Sequence, residues 1–206
     1  KDDNCCGMPK LELGDIKLVE TMMNKNLHKF KKYVDDGYFL IAPIPSCVLM
    51  YKQELPLLFP ENNDLSLVSK AFKDPFEFLN ILNKEGTLNT DFNNELGDVS
   101  YQVACHQRVQ NIGMLTKKIL ELVPGTTVNA IERCSGHDGT YGVKAETHEI
   151  AIKIARPITK EFKASKFNSF TSDCSLAAHH IENSLGNIQA PEHPISLIKK
   201  AYGINK

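Results

Sequence analysis

Three times after residue 98 a short apolar run stops at a cysteine: VSYQVAC (99–105), TTVNAIERC (126–134) and SFTSDC (169–174). Each run then passes through a loop towards a helical pattern. Continuous apolar runs of this length suit strands buried on both faces. Strands that alternate with helices imply βαβ units and a parallel sheet. The predicted fold class is therefore α/β, a parallel sheet with helices on both faces. Parallel strands all end at one edge, where open α/β sheets collect their ligands. Three cysteines at strand ends thus deliver three thiols to one place.

The intervening stretches supply the helices. Val99–Cys105 is predicted as a strand, Ile112–Val123 as a helix closed by Pro124-Gly125, and Thr127–Ile131 as a strand. Cys134–Gly142 is a loop. Lys144–Phe162 is a helix with Ile150, Ile154 and Ile158 on one stripe, and Pro157 ends or bends it. Ser169–Asp173 is a strand, and Ser175–Leu185 and Ile195–Tyr202 are helices.

Upstream, Asp15 is placed to cap a helix whose apolar positions are Ile16, Val19, Met22, Met23, Leu27, Phe30 and Val34. Gly37 ends it, and YFLIA (38–42) has the look of a buried strand. Pro43–Cys47 turns the chain into a helix with Ser46 as cap, and a helix N-terminus stabilises a thiolate such as that of Cys47. Residues 64–85 form one or two helices interrupted near Pro75. Residues 86–98 are rich in Asn, Asp, Gly and Thr and lack an apolar period. The expected organisation is a first unit over 1–90, a linker at 91–98 and a second, complete unit over 99–206.

The two units repeat each other. CCGMPKLELGD (5–15) echoes CSGHDGTYGVK (134–144), and IAPIPSCVLM (41–50) echoes SFTSDCSLAA (169–178). Cys5 and Cys47 are 42 residues apart, Cys134 and Cys174 are 40. Cys5 therefore pairs with Cys134, Cys6 with Ser135 and Cys47 with Cys174. Cys105 precedes Cys134 by 29 residues and has no partner. The repeat predicts that its counterpart lies upstream of residue 1, in a segment that would complete the first unit.

Six cysteines in 206 residues raise the question of disulfides. A chain this long buries enough surface to need no staples, and its cysteines sit beside Gly and Pro at element ends. Metal or cluster ligation is the favoured reading. A formal net charge of -1 argues against a nucleic-acid-binding surface. No apolar run approaches the roughly 20 residues of a membrane span.

Taken together, ACHQR (104–108), ERCSGHDGTYGVK (132–144), TSDCSLAAHH (171–180), EHPISLI (192–198), CCGMPKLELGD (5–15) and PIPSCVLMYKQELP (43–56) resemble the cysteine-rich CCG domain. That domain occurs twice in the cysteine-rich component of heterodisulfide reductases, and the likeness is greatest to the corresponding component of anaerobic glycerol-3-phosphate dehydrogenase. The resemblance covers nearly the whole chain. It implies an electron-transfer subunit of an oxidoreductase that binds iron–sulfur clusters, either 4Fe-4S or non-cubane. Electrons would pass between a flavoprotein dehydrogenase or thiol/disulfide partner and another carrier. It further implies a cytoplasmic protein, or one held at the inner face of the membrane through a partner. Carried over, the ligand positions are Cys5, Cys6 and Cys47 in the first unit and Cys105, Cys134 and Cys174 in the second.

The sequence departs from the fullest family pattern. Ser135 stands where a second cysteine is expected, and Ala177 and Met50 stand where some members carry the second cysteine of a CxxC. A centre in the second unit then has three thiolates and a fourth ligand from His106, His137, His179, His180, Ser135, water or a substrate group. His106 is favoured for its place beside Cys105. Three cysteines and one histidine are equally a usual structural zinc set, so the alternative is a zinc-binding interaction module. Thiol–disulfide catalysis at the adjacent Cys5-Cys6 pair is a third reading, and phosphate binding by the glycines of GHDGTYG a fourth. Arg108 and Arg133 either face the centre or form surface ion pairs. His193, in Pro-Glu-His-Pro, marks a packed turn.

Overall fold

All five strands among the described residues pair in parallel, in a two-stranded and a three-stranded sheet. The computed structural model describes residues 4–139, 141–186 and 189–204. The chain divides into two units, Lys1–Phe78 and Leu79–Lys206. The parallel α/β class expected from the alternation of strands and helices is what forms.

The first unit begins with α1 (Met8–Leu11) and α2 (Ile16–Asp35). Asp15 caps α2, its Oδ1 accepting the Leu18 N–H at 3.1 Å. The apolar face of α2 buries Val19, Met23 and Leu27 against Met50, Tyr51, Leu55, Leu65, Val68 and Phe72. Strand β1 (Leu40–Ile41) pairs with β2 (Phe72–Lys73), Leu40 facing Phe72. The strand expected over 38–42 shrinks to two residues, and Tyr38, Phe39 and Ile41 are exposed. A single partner strand leaves these side chains uncovered. β2 interrupts the helical pattern because Asp74 precedes Pro75 and is biased away from the helical region. The helix that follows, α6 (Pro75–Lys84), comes after α5 (Asn63–Ala71).

Between β1 and α5 lies α3 (Pro45–Leu49), which begins one residue before the expected Ser46 cap. Pro45 takes the first helical position, where its missing N–H costs nothing, and Ile44 becomes the cap residue. A π-helical turn, Met50–Glu54, joins α3 to α4 (Leu55–Leu58). Pro56 in α4 has no N–H for the Lys52 carbonyl, and the Ser69 hydroxyl donates to it instead, at 3.2 Å.

The second unit is organised on β3 (Asp98–Gln102), central between β4 (Thr127–Ile131) and β5 (Ser169–Ser172). Gln102, at the end of β3, sits opposite both Ile131 and Ser172, so the three strands end level. A parallel bridge between Thr171 and Glu192 extends the sheet past β5. The helices are α7 (Cys105–Arg108), α8 (Leu115–Leu120), α9 (Ala145–Ala164), α10 (Ser175–Leu185) and α11 (Pro194–Ala201). The helix expected from Ile112 starts three residues later, after left-handed turns at Asn111 and Gly113. α9 does not end at Pro157 but continues through it to Ala164. Its buried stripe is Ala151, Ala155, Ile158 and Phe162, whereas Ile150 and Ile154 are exposed. The polar stretch before β3 is tied to the end of α11. The Asn93 and Asn94 N–H groups both donate to the Ala201 carbonyl, at 2.8 and 3.0 Å. Their side-chain amides donate to Tyr202 and Lys200, satisfying carbonyls the helix leaves open.

Candidate functional site

Because β3, β4 and β5 end level, Cys105, Cys134 and Cys174 all follow within two or three residues of one sheet edge. Cys105 opens α7, Cys134 opens the loop after β4, and Cys174 is the N-cap residue of α10. The backbone already offers hydrogen bonds to their sulfurs. The Gly136 N–H donates to Cys134 Sγ at 3.4 Å, and the Leu176 and Ala177 N–H groups face Cys174 Sγ. Desolvation raises the Cys174 pKa against those two amides. Cys105 is exposed as a residue. Its thiol pKa is nonetheless raised, first by partial desolvation and then by the negative fields of Cys134, Asp138 and Cys174, with Arg108 opposing. A cation at this edge would relieve that mutual repulsion.

Gly136 presses the Cys134 loop onto α9. A Cβ there would lie 2.2 Å from the Ala151 carbonyl oxygen, and its φ of 79° is left-handed. Ser135, which stands in the expected cysteine position, is 2 % exposed and accepts the His137 N–H at 3.2 Å.

The candidate histidines separate into distinct roles. His137 and His180 gather around Gly142, together with His148, which sequence reasoning missed. A Cβ at Gly142 would meet His137 Nδ1 at 2.9 Å and His180 Nδ1 at 3.5 Å, and His148 Nδ1 lies 3.2 Å from the Gly142 carbonyl. The rings of His137 and His148 are each 6.2 Å from that of His180. Burial lowers the pKa of both His137 and His180, which favours their neutral, metal-binding form. His179 faces outward and pairs with Glu182 at 2.9 Å. His193 caps α11, its Nδ1 accepting the Ile195 N–H at 3.2 Å. His106 occupies the second position of α7. Thr140 of the glycine loop lies outside the described residues. Arg108 and Arg133 form exposed ion pairs with Glu132 and Glu161, at 3.0 and 2.9 Å.

Beneath the cysteines lies a buried polar layer that the strand and helix patterns did not anticipate. Gln102 Nε2 donates to the carbonyls of Val103 (2.8 Å) and Arg133 (3.4 Å), and Gln102 Oε1 accepts the Ser172 hydroxyl at 2.7 Å. Asp173, 1 % exposed, accepts from Tyr101 Oη at 2.6 Å and Thr116 Oγ1 at 3.0 Å. Gln107 bonds to both of those hydroxyls. Burial pushes the Asp173 carboxyl up to about 6, and the hydrogen bonds limit the rise. The one available signal was a polar residue in a buried strand, where such groups stand only when bonded.

In the first unit Cys5, Cys6 and Cys47 come together. Cys47 and Cys5 both act on the Cys6 thiol. The proximity of Cys6 lowers the Cys47 pKa, while the proximity of Cys47 and burial raise that of Cys6. Asn26 of α2, fully buried, holds the loop. Its Oδ1 accepts the Asn4 N–H at 3.1 Å, and its Nδ2 lies within 3.2 Å of the Asn4 and Cys5 carbonyls and 2.9 Å from Tyr51 Oη.

Among the described residues no three Cys, His, Asp or Glu side chains are grouped as they would be around a single ion. Three thiolates on one zinc stand roughly 3.8 Å apart, given Zn–S bonds of about 2.3 Å. In a 4Fe-4S cluster each thiolate binds its own iron, so the sulfurs stand wider. The donor set, three thiols with backbone N–H groups aimed at two of them, fits such a cluster. A cavity of about 600 Å³ opens beside Cys105, lined by Val103, Arg108, Val109, Met114 and Glu132. No described helix is long and apolar enough to cross a membrane.

A family model, that of the cysteine-rich domain CCG, matches residues 1–52 and 99–181. A subunit of the fumarate reductase (CoM/CoB) of Methanothermobacter marburgensis is 25% identical over 185 residues, covering 88% of this chain and 34% of that protein. An uncharacterized iron-sulfur protein of Methanococcus maripaludis is 27% identical over 190 residues, 90% of this chain and 34% of that one. Lactate utilization protein A 1 of Bacillus mycoides is 27% identical over 218 residues, 100% of this chain and 82% of its own length. The chain thus spans about a third of the first two relatives.

Proposed function

We propose, from the premise that this chain belongs to the cysteine-rich CCG domain family, that it is an electron-transfer subunit of an oxidoreductase and holds iron–sulfur clusters through its cysteines. One observation carries the reading: three parallel strands end level, and each leads directly to a cysteine loop. A bound cluster would store and release single electrons. Cys105, Cys134 and Cys174 would hold one centre, and Cys5, Cys6 and Cys47 would serve the first unit. The Gly136 N–H on Cys134, and those of Leu176 and Ala177 on Cys174, would withdraw charge from the thiolates and raise the reduction potential. Of the histidines, His106 is the candidate for a fourth ligand by its position next to Cys105. The cavity beside Cys105 gives a partner or small carrier access to that side of the centre. Donor and acceptor would be a flavoprotein dehydrogenase or thiol/disulfide partner and a second carrier. A relative's description as an iron-sulfur protein supports the cofactor, and another relative's place as one component of a fumarate reductase supports assembly with partners.

The test is metal and sulfide analysis of protein prepared and reconstituted without oxygen. Brown protein with iron and acid-labile sulfide in equal amounts is expected. Stoichiometric zinc without sulfide, or a colourless protein that takes up neither, would overturn the proposal.

A further inference from the structure

Gln102 ends the central strand three residues before Cys105, and its buried amide reaches sideways to both neighbouring cysteine loops. Towards β4, Nε2 donates to the Arg133 carbonyl, one residue before Cys134, at 3.4 Å. Towards β5, Oε1 accepts the Ser172 hydroxyl at 2.7 Å, and that hydroxyl in turn accepts the Cys174 N–H at 3.2 Å. On its own strand, Nε2 donates to the Val103 carbonyl at 2.8 Å, fixing the turn that leads into Cys105. Gln102 and Ser172 are 0% and 1% exposed, so water cannot substitute for these bonds. Strand pairing ends at Gln102, Ile131 and Ser172, where the Val103 N–H makes the last backbone bond, to the Ile131 carbonyl at 3.1 Å. Beyond that line this one side chain links the three loops.

We propose that Gln102, acting with Ser172, is a positioning residue that holds the loops of Cys105, Cys134 and Cys174 at the spacing a shared centre requires. The proposal rests on the iron–sulfur reading and goes beyond it, because neither residue is a ligand. Groups that orient metal ligands from behind typically change metal retention by 10–100-fold when removed.

The experiment uses the full chain with Cys5→Ser, Cys6→Ser and Cys47→Ser, so that only the second unit's thiols report, reconstituted anaerobically. Gln102→Leu keeps the bulk but removes all three bonds, and Ser172→Ala removes only the arm to Cys174. Iron release to a chelator should quicken at least tenfold in Gln102→Leu and a few-fold in Ser172→Ala. The electron paramagnetic resonance line shape of the reduced centre should change in both. Thermal unfolding of the cluster-free proteins, followed by circular dichroism, reports any purely structural loss. If Gln102→Leu fails to fold, Ser172→Ala decides. Release rates and line shapes equal to the parent, with only the cluster-free unfolding temperature lowered, would overturn the positioning role and leave the iron–sulfur reading standing. A parent that takes up neither iron nor sulfide would remove both.

Discussion

Asn26 and Asp173 show what a single buried polar side chain contributes in this chain. Asn26 bonds Tyr51, the Asn4 N–H and the carbonyls of Asn4 and Cys5 from inside α2, so truncation strands several partners at once. Asn26→Ala should destabilise the protein by about 2–3 kcal/mol, the usual cost of leaving buried groups unsatisfied. Denaturant unfolding measures this, and faster alkylation of Cys5 and Cys6 would show that the loop has loosened. Asp173 makes a prediction about pH. Burial raises its carboxyl to about 6, so the folded chain binds the proton more tightly than the unfolded chain does. The resulting stability is complete below about pH 4 and is lost as pH rises through about 6. In the cluster-free protein this one group should cost about 2 kcal/mol between about pH 4.5 and 8. Asp173→Asn should abolish that slope, and denaturant titrations of both proteins at the two pH values would show it. An equal slope in the variant would assign the pH dependence to other groups.

At the scale of elements, the decisive contact is the seating of the Cys134 loop on α9. The helix presents Ala151 and Ala155 on its buried stripe, and Gly136 packs against them with left-handed backbone. Gly136→Ala would combine a strained φ with a Cβ 2.2 Å from a backbone oxygen. A loss of more than about 2 kcal/mol is expected, measurable as a lowered unfolding temperature together with loss of bound iron. The same helix carries an opposite case. Pro157 is exposed and deprives the Lys153 carbonyl of its helical partner, so Pro157→Ala should stabilise the chain by about 1–3 kcal/mol. Differential scanning calorimetry would register this as a rise of several degrees. These elements also show which features the sequence revealed. β4 and α10 form over the stretches their apolar patterns mark, because their runs are long and bounded by Gly, Pro or Cys. β2 was hidden, since two residues between helical patterns carry no period and only pairing with β1 makes them a strand. The placing of Cys105, Cys134 and Cys174 at one sheet edge was legible, because a parallel sheet ends all its strands on the same side. Gln102, Asp173, Asn26 and His148 were not, because a lone polar residue acquires its role only from what the fold places beside it.

For the molecule as a whole, the distribution of cysteines sets the last expectation. Cys5, Cys6 and Cys47 lie in the unit Lys1–Phe78, and Cys105, Cys134 and Cys174 in Leu79–Lys206. Each unit has its own parallel sheet, and each brings its cysteines to a helix start or glycine loop beside that sheet. The donor sets differ. In the first, Cys6 and Cys47 lie close enough to shift each other's pKa in opposite directions. In the second the thiols sense one another mainly through charge. Two centres built this way should load and fail separately. Cys174→Ser should remove the iron and sulfide of the second unit alone, and Cys47→Ser those of the first, so that each variant keeps roughly half the metal of the parent. The double variant should keep none. Iron and sulfide analysis of the three proteins after identical reconstitution measures this directly, and unfolding with and without cluster adds a second readout, since a ligand that binds only the folded state stabilises it. A chain with a single centre would behave otherwise: one substitution would remove all the metal and the other none. That outcome would assign the cysteines of the silent unit to packing or thiol chemistry and confine electron transfer to the other.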